Sequence, residues 1–379
     1  MSLRMKKATL LVVLFAAIVT SFYSCKKSDP DGITDPGAGS FDKTAMLTQY
    51  ADGLIIPAYT SLQEKVAALR TASDAFIAAP SAATQDAVKA AYTEAHMQYE
   101  RVAAFQFGPA ETYLLDLYLN FSGGLDYSFA TSGELTGFSV DTASIESNIA
   151  GGSYDLTSMQ RKSFYSQGFA ALNYLYFAPD AINKLSASPA RAKYIQDVAN
   201  RMKTLVDKVA ANWPAYRSTF IANTKTNVGS PIGNIVNQLA YQMDILKGPR
   251  IGWPMGKQSN GIAFPTKCEA YYAGISRSLA VENLTAVKLL YTGNVNGKGL
   301  SDYLISLHQA ELNHDVLAQF DLAIAKLSAI PNPLSSSFTA STADVDAAYK
   351  EIQKLLTLLK TDVASATAVQ ITFMDNDGD

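Results

Sequence analysis

The sequence predicts an all-α protein built from two side-by-side antiparallel four-helix bundles. Apolar residues recur at steps of three and four over several long segments, which is the spacing of amphipathic helices. Alternating strand patterns are nearly absent, and only residues 369–373 could add a short strand. Both halves repeat one order of elements: a long helix, a helix with Gly-Pro, a loop, and a helix ending in tyrosine. That order predicts an internal duplication.

Residues 1–24 have the composition of an export signal, with three basic residues before an apolar run at 8–19. The run is too short for a permanent membrane helix, which needs roughly 20 residues. The string Phe22-Tyr-Ser-Cys25 resembles a bacterial lipoprotein box and predicts a lipid on Cys25. An ordinary signal with an incidental cysteine is the alternative. We therefore expect a cell-envelope protein, anchored through Cys25 on the periplasmic side or at the outer-membrane surface.

Residues 25–40 are rich in Pro, Gly, Ser and Asp and predict a flexible tether. With Cys25 lipidated, Cys268 is the only thiol left, so no intramolecular disulfide can form. Loss of the signal leaves 28 basic against 34 acidic residues, a net charge of −6. An acidic chain without a basic stripe argues against nucleic acid as a partner.

The N-terminal bundle is predicted over residues 41–185. A long helix begins near Leu47 and carries Pro57, which predicts a kink or a short break. A second helix follows the start signal at 80–84 and is predicted to stop at Gly108-Pro109. A loop region punctuated by Gly-Gly pairs precedes a last helix over 156–177.

The C-terminal bundle is predicted over residues 186–379. Apolar stripes indicate helices near 194–216, near 235–246 with a stop at Gly248-Pro249, and over 272–291. Two further helices are predicted over 300–330 and after the break at Pro331-Asn-Pro333.

The string Gly168-Phe-Ala-Ala-Leu-Asn-Tyr-Leu175 resembles the Gly-x-His-x-x-Glu motif of the imelysin family, also called the M75 peptidases. The resemblance extends over nearly the whole predicted mature chain, in order and spacing. It includes Ile56-Pro-Ala-Tyr59, Phe107-Gly-Pro109 and the segment that runs from Asn283 to Gly293. It implies two related four-helix bundles with the motif near the cleft between them. Family members include insulin-cleaving metallopeptidases and proteins associated with iron uptake.

This chain keeps the motif glycine, Gly168, but has Ala170 and Asn173 where the family has histidine and glutamate. The family pair lies on one helix face, close enough to share a metal ion. Alanine offers no ligand, and a neutral amide is a poor metal ligand that cannot act as a general base. We therefore predict no metal, no other cofactor and no catalytic residue for this chain, although the family implies a metal ion.

Glu111, Arg250, Trp253 and Asn283 are the candidates for lining a ligand-binding cleft, with a helix end followed by packed loop aromatics as the alternative. The pattern His308-Gln-Ala-Glu311-Leu-Asn-His314 predicts a solvent-exposed helix face more than a metal site, because its three side chains spread too widely to converge. His96 is predicted to be a packed or surface histidine.

Three functions remain open. The first is a non-catalytic envelope protein that binds an unidentified ligand or envelope protein in the interdomain cleft, in iron uptake. The second is a metallopeptidase with relocated ligands. The third is a glycan-binding surface lipoprotein; the presence of only two tryptophans and the absence of a 34-residue helical repeat argue against it.

Overall fold

The computed structural model describes residues 41–122, 140–294 and 298–373. The predicted signal, the tether and Cys25 lie outside these residues, as do Gly123-Gly124 and the terminal residues 375–379. Phe41–Asp379 forms one compact unit. The predicted division at residues 185 and 186 therefore stays a prediction, and so does the internal duplication.

The described chain is helical, and no strand occurs in these residues. In chain order the helices of the first part are α1 Lys43–Gln49, α2 Ile56–Ala78, α3 Ala82–Glu100, α4 Pro109–Thr112, α5 Leu115–Leu119, α6 Thr142–Gly151, α7 Arg161–Phe164, α8 Gly168–Phe177, α9 Ala181–Ser186 and α10 Pro189–Ala222. None of the helices in the described ranges is both long and apolar enough to cross a membrane.

The helices of the second part are α11 Pro231–Ile245, α12 Trp253–Met255, α13 Ser276–Thr292, α14 Leu300–Ser306, α15 Ala310–Ser328, α16 Leu334–Ala340, α17 Thr342–Thr357 and α18 Ala364–Ala366. Three π-helical segments connect helices without a break: π1 Tyr50–Ile55, π2 Leu246–Gly252 and π3 Leu358–Val363. A 3₁₀ turn spans Pro265–Lys267. The predicted all-α class is confirmed.

Two groups of four helices carry most of the core. Helices α2, α3, α8 and α10 pack together, and α11, α13, α15 and α17 form the second group. Helix α10 follows the predicted boundary but packs against α2 and α8, where Trp213 stacks on Tyr59 with ring centroids 6.1 Å apart. Helices α3 and α13 contact each other and join the two groups. The junction between the two groups therefore includes α3 and α13.

The segment 156–177, predicted as one helix, is broken before α8. Gly168 has a φ of +62°, and a Cβ atom placed there would lie 2.2 Å from the Leu119 carbonyl oxygen. Only glycine allows this backbone conformation and this close approach together. The motif glycine therefore fixes the start of α8 against the end of α5.

The two Gly-Pro pairs do not stop helices as predicted. Helix α3 already ends at Glu100, and Gly108, with a φ of +58°, precedes the short helix α4. At Gly248-Pro249 the chain stays helical through π2 into α12. A π turn is wider than an α turn, which moves the preceding carbonyl away from the proline ring. In the same way π1 leads directly into α2, whose first turn contains Pro57, so no break occurs there.

Two other predictions in the second part are wrong. The helix predicted over 300–330 is interrupted at His308, which has a φ of +60°, so His308 and Glu311 do not share one helix. Residues 369–373 form no strand, and the Asn237 side chain binds two of their backbone groups instead. Its Nδ2 donates to the Gln370 carbonyl at 2.9 Å, and its Oδ1 accepts from the Thr372 amide at 2.7 Å.

Candidate ligand site between the bundles

Four ionisable side chains from three distant segments converge between the two helix groups. Helix α3 supplies His96 and Glu100, whose spacing of four residues places them on one face. Segment π2 supplies Arg250, and the loop before α13 supplies Glu269. His96 and Glu100 are 1% exposed, and Arg250 is 5% exposed. Charged groups this deeply buried require partners.

Arg250 binds both carboxylates. Its Nη1 and Nη2 donate to the two Glu100 oxygens at 2.9 and 3.0 Å, which is the fork geometry of an arginine–carboxylate pair. Its Nη2 also lies 2.6 Å from Glu269 Oε2. Asn120 Nδ2 donates to the other Glu269 oxygen at 2.8 Å. When both glutamates are ionised, two negative charges thus share one guanidinium.

The His96 ring is held on two sides. It stacks on Phe169 with ring centroids 4.2 Å apart, and its Nδ1 lies 3.1 Å from the Tyr92 hydroxyl oxygen. The Tyr92 hydroxyl donates to the Phe169 carbonyl at 3.2 Å. The second ring nitrogen, Nε2, lies 3.5 Å from Glu269 Oε1 and 3.8 Å from Glu100 Oε1. It makes no hydrogen bond of ordinary geometry.

The electrostatics of the cluster separate its two carboxyl groups. Burial and the neighbouring Glu269 raise the pKa of Glu100 well above its usual range, although Arg250 opposes this shift. Burial would also raise the pKa of Glu269, but the Arg250 guanidinium outweighs it and lowers that pKa well below its usual range. Burial lowers the pKa of His96, so the ring is neutral at pH 7. The cluster thus contains one firmly ionised carboxylate, that of Glu269, and a second carboxyl group, that of Glu100, whose charged form is disfavoured by burial.

A cavity of about 30 Å³ opens beside this cluster. Its lining includes His96, Asn120, Ala170, Asn173, Arg250, Cys268 and Glu269. About 10–15 Å³ accommodates one water molecule, so the cavity has room for one or two groups of that size. Burial raises the pKa of the Cys268 thiol to about 12, which makes it unreactive as a nucleophile.

Two of the three motif-equivalent residues lie at this cavity. Ala170 and Asn173 both line it, and Asn173 Oδ1 accepts a hydrogen bond from the Ala273 amide at 2.9 Å. This bond links α8 to the loop that carries Glu269. Asn173 thus both lines the cavity and has a hydrogen-bond partner.

The cleft candidates are divided by the fold. Arg250 belongs to the cluster. Asn283 is fully buried, and its Nδ2 donates to Gln242 Oε1 at 3.0 Å. A side-chain hydrogen bond from Asn283 also lowers the pKa of Glu100. Glu111 is exposed on α4, and Trp253 is buried in α12. Neither Glu111 nor Trp253 lines the cavity.

Sequence reasoning missed Glu100 and Glu269 and treated His96 as a packed or surface residue. His96 is indeed packed, but its Nε2 faces two carboxylates. Within the described ranges, His96, Glu100 and Glu269 form the one set of three or more His, Cys, Asp or Glu residues whose ligand atoms lie within 4.8 Å of one another. The four-residue spacing of His96 and Glu100 was the available signal. The exposed residues His308, Glu311 and His314 form no such set.

A larger groove, of about 460 Å³, lies between the π1–α2 region and α13. Its lining is mostly apolar and includes Leu54 and Leu289. The charges at this groove are those of Arg101 and Glu282, which form an ion pair at 2.5 Å and so satisfy each other. The buried cluster is therefore the better candidate for polar chemistry.

Comparisons with known proteins agree with this fold. The chain is 24% identical over 303 residues to iron-regulated protein A of Synechococcus elongatus, which covers 77% of each protein. A crystal structure from Parabacteroides distasonis, described as an iron-regulated protein A precursor, has a TM-score of 0.68 at 18% identity and covers 87% of this chain and 96% of its own. An imelysin-like protein from Psychrobacter arcticum has a TM-score of 0.67 at 19% identity, with 90% and 99% covered.

The family model of imelysin, peptidase M75, matches residues 55–362. This range contains the motif-equivalent helix α8 and every residue of the buried cluster. The chain therefore belongs to the imelysin family.

Proposed function

We propose that this chain is a lipid-anchored cell-envelope protein that binds a small ligand between its two helix groups and serves in iron acquisition, without hydrolysing peptides. The observation that carries the proposal is the position of Ala170 and Asn173. They replace the motif ligands, yet they line the same cavity as a buried ionic cluster. The site therefore lacks the histidine and glutamate of the family motif but offers a small cavity lined by polar side chains.

The size of the cavity supports a small ligand. At about 30 Å³ it has room for an ion or for water, whereas pockets for organic ligands have volumes of about 300–1,000 Å³. A peptide backbone needs an open groove of that larger size. The small volume therefore favours binding of an ion-sized species over cleavage of a peptide.

The role in iron acquisition comes from relatives. Two proteins similar to this chain are described as iron-regulated protein A or its precursor. The envelope location comes from the lipoprotein-like sequence that ends at Cys25. Both parts are proposals for this chain.

A metallopeptidase is the second candidate, because one histidine and two glutamates lie within reach of a common ion, as relocated ligands would. It predicts chelator-sensitive cleavage of an unstructured peptide such as the insulin B chain. We expect no cleavage by the wild-type chain freed of contaminating proteases. Chelator-sensitive cleavage that is lost in Glu269→Gln would establish the peptidase instead.

The proposed function is tested by deleting the gene in the source bacterium and growing the strain with chelated iron. We expect slow growth that the wild-type gene restores and Ala170→Leu does not, because leucine fills the cavity. Ala211→Leu, on the exposed face of α10, is the matched control and restores growth. Normal growth of the deletion strain, or full rescue by a folded Ala170→Leu protein, would contradict the proposal.

A further inference from the structure

We propose that the ligand of this cavity is a divalent first-row transition-metal cation, bound by His96 Nε2 and by one oxygen each of Glu100 and Glu269. The inference rests on the proposed function and specifies its ligand. None of these three residues occupies a position of the Gly-x-His-x-x-Glu motif, whose ligand positions here are Ala170 and Asn173.

The distances fit a shared ion. His96 Nε2 lies 3.5 Å from Glu269 Oε1 and 3.8 Å from Glu100 Oε1. Both separations exceed the ordinary hydrogen-bond range of about 2.7–3.2 Å. Two ligands that each bind a metal at about 2.1 Å in a tetrahedral site lie roughly 3.4 Å apart. Small side-chain adjustments would therefore close the three groups around one cation.

The protonation of His96 provides an independent argument. The Phe169 carbonyl can only accept, so a Tyr92 hydroxyl that donates to it accepts in turn from His96 Nδ1. The neutral ring then has its proton on Nδ1 and a lone pair on Nε2. That lone pair is buried, lacks a hydrogen bond and faces two carboxylate oxygens. A cation between these three groups converts a repulsive arrangement into an attractive one.

The surrounding residues hold the ligands in place. Arg250 and Asn120 fix the Glu269 carboxylate, and Arg250 also fixes that of Glu100. Supporting hydrogen bonds of this kind orient the ligands of natural metal sites. With both glutamates ionised, Arg250 neutralises one of their two negative charges. A bound dication then leaves the cluster with a net charge of +1. The cavity next to Ala170 has space for a water molecule as a further ligand.

The donor set determines the class of ion. One imidazole and two carboxylates suit Fe²⁺, Zn²⁺ or Mn²⁺, whereas Cu⁺ prefers thiolates, and Ca²⁺ and Mg²⁺ prefer oxygen ligands alone. Cys268 lines the same cavity but is not among the three residues whose ligand atoms lie within 4.8 Å of one another. We therefore expect first-row divalent cations to bind in preference to soft or alkaline-earth ions.

The test is titration calorimetry, with elemental analysis of the full-length chain after dialysis against Fe²⁺ under anaerobic conditions or against Zn²⁺. We expect one equivalent of ion per chain and no comparable binding of Mg²⁺ or Ca²⁺. A wild-type chain that retains no stoichiometric Fe²⁺ or Zn²⁺, or that binds Mg²⁺ equally well, overturns the proposal.

Variants locate the ion. Glu269→Gln and His96→Gln are each expected to weaken binding by at least about 100-fold, since even supporting residues of metal sites contribute 10- to 100-fold. The matched control is Glu146→Gln, which removes a carboxylate paired with Arg191 at 2.5 Å in α6, away from the cavity. His314→Ala removes an exposed histidine. Both controls should bind like the wild type.

Folding is checked by circular dichroism, and Glu100→Gln replaces either site variant that does not fold. Retained affinity in folded Glu269→Gln or Glu100→Gln, or loss of the ion in His314→Ala, contradicts the assigned ligands. The two proposals fail separately. If the chain binds no cation, but Ala170→Leu still fails to restore growth on low iron, only the proposed metal site is refuted. If the chain binds the cation as described, but the deletion strain grows normally on low iron, only the role in iron acquisition is refuted.

Discussion

Gly168 shows how one residue of a family motif can be kept for packing while its neighbours change. It starts α8 with a φ of +62°, and the nearest backbone atom to an added Cβ, the Leu119 carbonyl oxygen, would be 2.2 Å away. Ala170 and Asn173 then follow on the first turns of α8 and face the cavity. The glycine therefore sets the position of the motif helix whether or not the motif binds a metal.

Replacement of Gly168 by alanine is expected to destabilise the fold by at least about 3 kcal/mol, since backbone strain and a backbone clash add together. Gly151→Ala is the control, because no atom lies within 4 Å of its added Cβ and its φ is not positive. That change should leave the stability unchanged or increase it by up to about 1 kcal/mol. Urea unfolding measures both, and equal stabilities of the two variants would show that α8 is free to shift.

At the scale of elements, π2 is the feature that brings Arg250 to the cluster. Gly252 lies in this segment, and a Cβ atom added to it would lie 2.6 Å from the Lys247 carbonyl five residues earlier. Gly248 lies in the same segment, but its nearest contact would be the Trp253 Nε1 at an ordinary 3.5 Å. The two glycines therefore form a natural pair of test positions.

Gly252→Ala is expected to cost about 1–3 kcal/mol of stability, because the widened turn must shift to admit the methyl group. Gly248→Ala should stay within about 0.5 kcal/mol of the wild type. The comparison is made by chemical unfolding of both proteins. If Gly252→Ala is as stable as Gly248→Ala, the backbone of π2 is not fixed by the contact that the structure shows.

Prediction from sequence succeeded for helices and failed at their interruptions. The apolar residues of the helices predicted near Leu47 and near residues 235–246 lie on the buried faces, because burial of an apolar stripe needs only local periodicity. The interruptions at Gly168 and His308 and the continuation through Pro249 depend on backbone conformations imposed by contacts with other elements. Local sequence does not contain that information.

The candidate site was only partly predictable for a related reason. Arg250 and Asn283 could be selected by residue type and position, and Asn173 by its position in the motif. Glu269 lies 169 residues after Glu100, and nothing local relates the two. Only the contact of α3 with α13 and the path of π2 bring them to one guanidinium.

For the whole molecule, the ionic cluster links the two helix groups and also makes their junction polar. Arg250 from the second part binds Glu100 of α3, and Gln242 of α11 donates to the Ala103 carbonyl at 2.8 Å. A buried pair adds little stability relative to apolar packing, but removal of one partner leaves an uncompensated charge. The junction therefore depends on keeping all of its members.

Arg250→Met is expected to destabilise the metal-free protein by about 3–5 kcal/mol, since it leaves Glu100 and Glu269 without their cation. The matched control is Arg191→Met, whose partner Glu146 is 41% exposed and remains solvated. That change should cost only about 1 kcal/mol. Thermal and urea unfolding test the difference, and similar losses in both variants would mean that the junction tolerates unpaired carboxylates.

The central claim, a cation held by His96, Glu100 and Glu269 between the two helix groups, is tested most directly by crystals grown with Zn²⁺ or Fe²⁺. Anomalous difference maps recorded on either side of the metal absorption edge then show the position of the ion. We predict one strong peak within bonding distance of His96 Nε2 and of an oxygen from each glutamate. Strong peaks only at exposed residues such as His308 or His314, with none beside Asn173, would contradict the claim.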